Sequence, residues 1–279
     1  MSKNAVGRHI LSDEELKKLQ EIELELLVEF DRICRKHGIK YSIDGGTLLG
    51  AVRHGGFIPW DDDADVIMVR SEYERFKKIY RQELDETRFY LQNLDDTRGY
   101  RWGYAKLRRK NSSFIRLNQE HMGYEQGIFM DIFICDNVPE NYFFRSICNF
   151  ICFLYRKVFW SVVGKETESG FKRILFLTLS MIPEKMLKKS YSGYIRHRNK
   201  QYSKWVKCLT FPACNKVYGY KREWYEDTVD ILFENVILKG SRDSKGYLHF
   251  LYGEYMIMPP FEKRKVHPVS KIEFPKDEN

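Results

Sequence analysis

Four acids within five positions, Asp61, Asp62, Asp63 and Asp65, run directly into the apolar stretch Val66-Ile67-Met68-Val69. No basic residue lies among them, and Phe57-Ile58-Pro59-Trp60 precedes them. An acidic cluster alone reads as a solvated loop. Bounded by apolar residues on both sides, this one stands at the mouth of a buried strand. Residues two apart on a strand point to one side, so Asp63 and Asp65 aim two carboxylates at one point across the small Ala64. Like charges this close are unfavourable unless a cation lies between them. Hard oxygen ligands at a sheet edge suit Mg2+ or Mn2+.

A third acid obeys the same logic. Asp131 is the only charge in Gly127-Ile128-Phe129-Met130-Asp131-Ile132-Phe133-Ile134, and a buried carboxylate needs a metal, a salt bridge or a capping role. Asp136 just beyond reads as a turn residue. Gly45-Gly46 follows a short strand at 39–43, and glycines there let backbone approach a phosphate while the next helical turn offers free N–H groups. A glycine pair after a strand, paired acids on one strand and a third acid on a later strand form the pattern of the nucleotidyltransferase superfamily.

The surrounding chain suits an α+β fold with an α/β-type mixed sheet. Ser12 and Glu15 make a capping box for a helix whose apolar residues Leu16, Leu19, Ile22, Leu26, Phe30 and Ile33 recur at helical spacing up to Gly38. Ser71 and Glu74 make a second box for a helix over 72–84. Strands are expected at 63–69, 89–93, 104–108, 113–116 and 128–134. Residues 1–140 read as a nucleotidyltransferase-like catalytic core, 141–205 as an aromatic-rich helical insertion, and 206–279 as a segment completing the catalytic domain.

The segment GGTLLGAVRHGGFIPWDDDADV resembles the signature of the LicD family of phosphocholine and other phospho-alcohol transferases, related to the fukutin-type ribitol-phosphate transferases. Tyr104-Ala105-Lys106-Leu107, GIFMDIFICDNVP and the C-terminal YLHFLYGEYMIMPPFEKRKVHP extend the resemblance over most of 14–136 and about 246–268. Many relatives carry Ile where Ala64 stands, a conservative departure. The resemblance implies that Asp63 and Asp65 hold a metal ion and that Asp131 completes the site or acts as base. It implies that Gly45, Gly46 and Thr47 cradle donor phosphates, with Arg53, Lys106 and Arg108 as candidates for charge on the diphosphate. Asp61 and Asp62 belong to the motif without an assigned direction. Arg264 and His267 either close over the site or belong to a packing block. The implied reaction moves phosphocholine from CDP-choline, or another CDP-alcohol, onto a hydroxyl of a glycan such as teichoic acid, lipopolysaccharide or capsule, which a lipid carrier can present. Choline's quaternary ammonium calls for an aromatic cage, with Tyr100, Trp102, Tyr104 and Trp60 as walls.

Between residues 145 and 161 the polar residues Arg145, Ser146, Asn149, Arg156, Lys157 and Ser161 fall within an arc of about 160° at helical pitch. That leaves a broad apolar face. Gly164 to Gly170 reads as a hinge before a second apolar helix over 171–182. Charges interrupt these runs before the ~20 residues of a membrane span, so residues 143–182 either lie on a membrane surface or pack inward.

A formal charge of +8 fits an anionic partner. Nucleic acid is disfavoured because the basic residues are interleaved with acids rather than gathered in a stripe. The alternative activity is a template-independent nucleotidyltransferase acting on RNA or a small molecule. A silent scaffold has no reason to keep paired carboxylates. The first 18 residues lack an apolar leader core. The six cysteines form no CxxC pair and read as idle thiols of a reducing compartment. Both point to the cytoplasm, with a peripheral position on the inner membrane face as the variant that residues 143–182 allow.

Overall fold

The computed structural model describes residues 9–212, 215–264 and 266–276. Cys214 and the first eight residues fall outside them. Helix α1 (Asp13–Lys36) starts at the expected capping box: the Ser12 hydroxyl accepts from the Glu15 N–H at 3.2 Å, and Glu15 Oε2 accepts from the Ser12 N–H at 2.9 Å. Leu19, Leu26, Leu27, Phe30 and Ile33 are buried along one side. There follow β1 (Ser42–Ile43), α2 (Gly45–His54), β2 (Asp65–Val69), α3 (Arg70–Glu83), β3 (Phe89–Gln92), β4 (Ala105–Arg109), β5 (Ser113–Arg116) and β6 (Phe129–Asn137).

Then come α4 (Tyr142–Thr167), α5 (Gly170–Ser180), α6 (Glu184–Arg198), β7 (Trp205–Cys208), β8 (Tyr220–Lys221) and α7 (Glu223–Glu226). A hairpin of β9 (Thr228–Phe233) and β10 (Val236–Ser241), helix α8 (Ser244–Tyr252) and β11 (Val269–Glu273) complete the chain. The central sheet has the order β1-β2-β6-β4-β3, with β7 and β8 continuing beside the far half of β6. Strands β2 and β6 are parallel, and every other pair is antiparallel. This is an α+β fold with a mixed sheet. Strand β6 lies at its centre and is buried along its whole length, which is why it reads as a continuous apolar run.

Three local expectations fail for identifiable reasons. The Ser71–Glu74 box does not form, because α3 begins at Arg70 directly after β2 with no side-chain cap. Arg70 is held there by Asp136, whose two oxygens accept from Nε and Nη2 at 2.8 Å each. Asp136 is therefore no turn residue but a fully buried strand residue. The expected hinge over 164–170 narrows to residues 168–169 between α4 and α5, and Gly164 is not part of it. That glycine is buried inside α4, where a side chain would collide with Trp160 and Phe176, so it lets α5 fold back closely on α4. The cysteines among the described residues are all free and buried.

Candidate active site

Register brings the acids together. In the parallel pair Asp65 stands opposite Asp131, and on the other side of β6 Lys106 of β4 stands opposite Asp131. Register partners share a face, so Asp65, Asp131 and Lys106 form a row across three strands. The Lys106 ammonium donates to Asp131 Oδ1, with each side chain only 7% exposed. Asp131 thus has the salt-bridge partner its burial demands, and Lys106 is committed to that pair. Burial lowers the Lys106 pKa to about 7, although Asp131 works against the shift.

The glycine pair shapes the opposite wall. The Asp44 N–H donates to the Asp65 carbonyl at 3.0 Å, which seats the start of α2 beside β2. Gly45 has φ +49°, a left-handed conformation suited to glycine. A Cβ on Gly46 would lie 2.6 Å from Asp61 Oδ2, and one on Gly45 would lie 3.8 Å from Asp65 Oδ2. A side chain at Gly46 would collide with the Asp61 carboxylate, while at Gly45 it is the positive φ that favours glycine. The Thr47 hydroxyl is buried and accepts from the Asp65 N–H at 2.8 Å. Its side chain positions Asp65.

The acids form an electrostatically unsatisfied group. Burial, then Asp63 and Asp62, pushes Asp61 up to about 8. Burial, then Asp63 and Asp131, pushes Asp65 far up, and its buried Oδ1 has no hydrogen-bond partner. Asp63 is also raised by burial, against the pull of His267 and Arg116. Such an array suits a divalent cation bound through oxygen. Among the described residues, the trio whose ligand atoms lie within 4.8 Å of one another is Asp62, Asp63 and His267, not Asp63, Asp65 and Asp131. His267 Nδ1 is 3.0 Å from Asp62 Oδ1 and 3.5 Å from Asp63 Oδ2, so the C-terminal block meets the acidic loop.

Three contributors escaped the sequence reading. Glu23 of α1 is buried beside the four acids with an unpartnered oxygen, and burial followed by Asp63 raises its pKa strongly. Arg116, at the end of β5, brings a guanidinium 3.9 Å from Asp63 Oδ2. Burial opposes its charge, but Asp131 and Asp63 outweigh burial, and its Nε has no partner. Gln20 steadies the loop by donating to the Asp61 carbonyl at 3.0 Å. Glu23 broke the apolar stripe of α1, the one signal that could have marked it.

The remaining basic candidates have the following partners, and the Arg53 charge also acts on Asp61. Arg53 donates to the Tyr255 carbonyl at 2.8 Å, and Arg108 is buried, donating to Gln92 Oε1 at 2.8 Å and to the Gly127 carbonyl. The Arg264 guanidinium stacks 4.1 Å over the Trp60 ring. A cavity of about 310 Å³ opens beside the acids, bounded by Asp44, Gly45, Gly46, Asp61, Asp63 and Asp65 on one side. Its other side is mainly aromatic, with Phe133, Phe211, Tyr220, Tyr225, Tyr247 and Tyr252, and also carries Lys207. These are not the expected cage residues. Tyr100 is buried against Tyr124, Trp60 lies under Arg264, and Tyr104 stands behind the wall against Phe133 and Phe211. Trp102 does not line the cavity.

A parallel strand pair carrying acids beside a glycine-initiated helix defines a nucleotidyltransferase-like phosphotransferase core. Residues 38–149 match the family model described as LicD/FKTN/FKRP, nucleotidyltransferase domain. The chain is 30% identical over 266 residues to the lipopolysaccharide cholinephosphotransferase LicD of Haemophilus influenzae, covering 92% of this chain and 97% of that protein. Over 29 residues it is 59% identical to ribitol 5-phosphate transferase FKRP of human and mouse, 10% of this chain and 6% of theirs. The chain belongs to the LicD family, and it is a phosphotransferase.

Proposed function

We propose that the protein transfers phosphocholine, or a similar phospho-alcohol, from a CDP-alcohol to a hydroxyl of a cell-surface glycan, with Mg2+ or Mn2+ as cofactor. The observation that carries this reading is the single cavity joining the acid group and the start of α2 to an aromatic wall. Phosphates belong at the acidic, glycine-lined end once a cation is bound. An alcohol with a cationic head belongs against the tyrosines. Asp44 faces the same cavity and accepts a hydrogen bond from the Tyr247 hydroxyl, which adds a carboxylate to the aromatic wall. This favours choline over the uncharged ribitol and glycerol. The relative named as a lipopolysaccharide cholinephosphotransferase supports both the choline and a lipid-anchored glycan acceptor.

Asp63 and Asp65 would hold the cation, with Asp62 and His267 as further ligands. When bound, the cation would neutralise charge on the donor phosphates and the leaving CMP. Arg116 places a second positive charge beside them. The acceptor oxygen attacks the distal phosphorus in line, its bond forming as the bond to the CMP oxygen breaks. Asp131, positioned by Lys106, takes the acceptor's proton. Residues 141–205 are read as a unit inserted into this catalytic core.

Incubation with Mg2+ and CDP-choline, CDP-ribitol or CDP-glycerol, with CMP release as the readout, tests the proposal. CMP should appear fastest from CDP-choline and stop on chelation. Stronger thermal stabilisation by ATP than by every cytidine ligand would instead support a nucleotidyltransferase.

A further inference from the structure

Helix α4 carries apolar residues on both sides, buried on one and exposed on the other. Its polar residues Arg145 and Asn149 turn inward. Arg145 is 5% exposed and donates to the carbonyls of Val217, Pro139 and Glu140, while Asn149 accepts from the Lys207 ammonium at 2.6 Å. Cys148, Cys152 and Phe159 are buried on the same side. Phe143, Ile147, Phe150 and Leu154 recur at helical spacing and face outward, Phe143 at 65% and Phe150 at 60% exposure. Helix α5 folds back on α4 with Phe176 packed against Trp160 and presents a second outward stripe, Phe171, Ile174 and Leu175. Met181 and Met186 extend the surface toward α6. A soluble helix normally turns polar residues outward, and this many exposed apolar side chains on two packed helices mark an interaction site.

The charges nearby indicate what covers it. Apart from the inward Arg145, residues 141–182 contain five basic and two acidic residues, a net charge of +3. Lys172 and Arg173 are exposed on α5, and the Lys157 ammonium lies 5.3 Å from the centre of the outward Phe153 ring. Apolar stripes edged by lysine and arginine match the boundary between anionic headgroups and acyl chains. Contrary to the expectation that charges interrupt its apolar run, α4 is long and apolar enough by length and composition to cross a bilayer. Its inward arginine and its packing against α6 tie one side of it to the protein, which leaves only the other for lipid.

We infer that the outward faces of α4 and α5 dock the protein onto an anionic membrane surface. The inference goes beyond the proposed reaction and holds whichever alcohol is carried. Co-sedimentation with phosphatidylcholine vesicles, with and without phosphatidylglycerol, tests it on the full chain. The protein should pellet with the anionic vesicles and be released by salt. Lys172→Glu with Arg173→Glu should weaken binding about twentyfold or more. Phe150→Glu with Phe171→Glu should weaken it about a hundredfold. Both pairs lie outside the active site, so unchanged CMP release from the donor shows that they fold. Protein left in the supernatant with both vesicle types overturns the inference. So does a dimer in light scattering that Phe150→Glu converts to monomer, since the face then belongs to a second copy of this chain.

Discussion

Replacing Lys106 by methionine tests whether the Lys106–Asp131 pair holds the centre of the sheet together. Both side chains are 7% exposed, and the pair joins the two strands beside the acids. Methionine fills the lysine stem's volume but leaves the buried Asp131 carboxylate without its hydrogen-bonded ammonium, with the charge of Arg116 still acting on it. Removing one partner of a buried pair destabilises by about 3–5 kcal/mol. For a chain this size that lowers the melting temperature by roughly 10 °C. Asp131→Asn should cost less, because Lys106, already lowered to about 7 by burial, can shed its proton. The double variant should be more stable than the sum of the single effects predicts, with a coupling of at least about 2 kcal/mol. Urea denaturation of all four proteins, repeated with saturating Mg2+, supplies the cycle. Additive single effects would refute the pairing. A deficit of Lys106→Met that Mg2+ restores would show that the cation also reaches Asp131.

Asp63→Asn and Asp65→Asn should each abolish CMP release while leaving the metal-free melting temperature unchanged or higher, because a repelling charge is removed; unfolding of both variants would make the acids structural. The raised pKa of Asp61, about 8, means its folded form holds a proton that the unfolded chain releases. Its contribution to metal-free stability is therefore greatest below the unfolded value and is lost as pH rises through about 8. Asp61→Asn should stabilise the metal-free protein at pH 8 by about 1–2 kcal/mol, and by less at pH 6; calorimetry with chelator present would read the difference. Asp44→Asn removes the carboxylate beside the aromatic wall without removing a helix cap, since the Asp44 side chain makes none. The KM for CDP-choline should rise about tenfold and that for CDP-glycerol stay unchanged; an equal change in both would sever Asp44 from choline recognition.

The sequence by itself determined the parts of the site that are local. Asp63-Ala64-Asp65 entering an apolar run, Gly45-Gly46 beginning a helix and Asp131 alone in an apolar strand were all legible, because strand and helix periods set which neighbours share a face. The resemblance to LicD proteins rested on the same residues, and the comparisons show that family. Everything that depends on pairing between distant segments was decided only by the tertiary structure. Asp131 meets Lys106 and Asp65 through strand register, and His267 reaches Asp62 across 205 positions. The internal hydrogen bonds of Arg108 to Gln92 and of Thr47 to Asp65 also depend on this tertiary pairing. The aromatic wall combines β6 with segments from 211 to 252, a set no spacing rule connects. Helix α4 shows the limit most directly. Its polar and apolar arcs are evident in the sequence, but periodicity carries no information on which arc turns inward. The buried carbonyls that receive Arg145 and the Lys207 ammonium beside Asn149 turn those two polar residues in and leave Phe143 and Phe150 facing out.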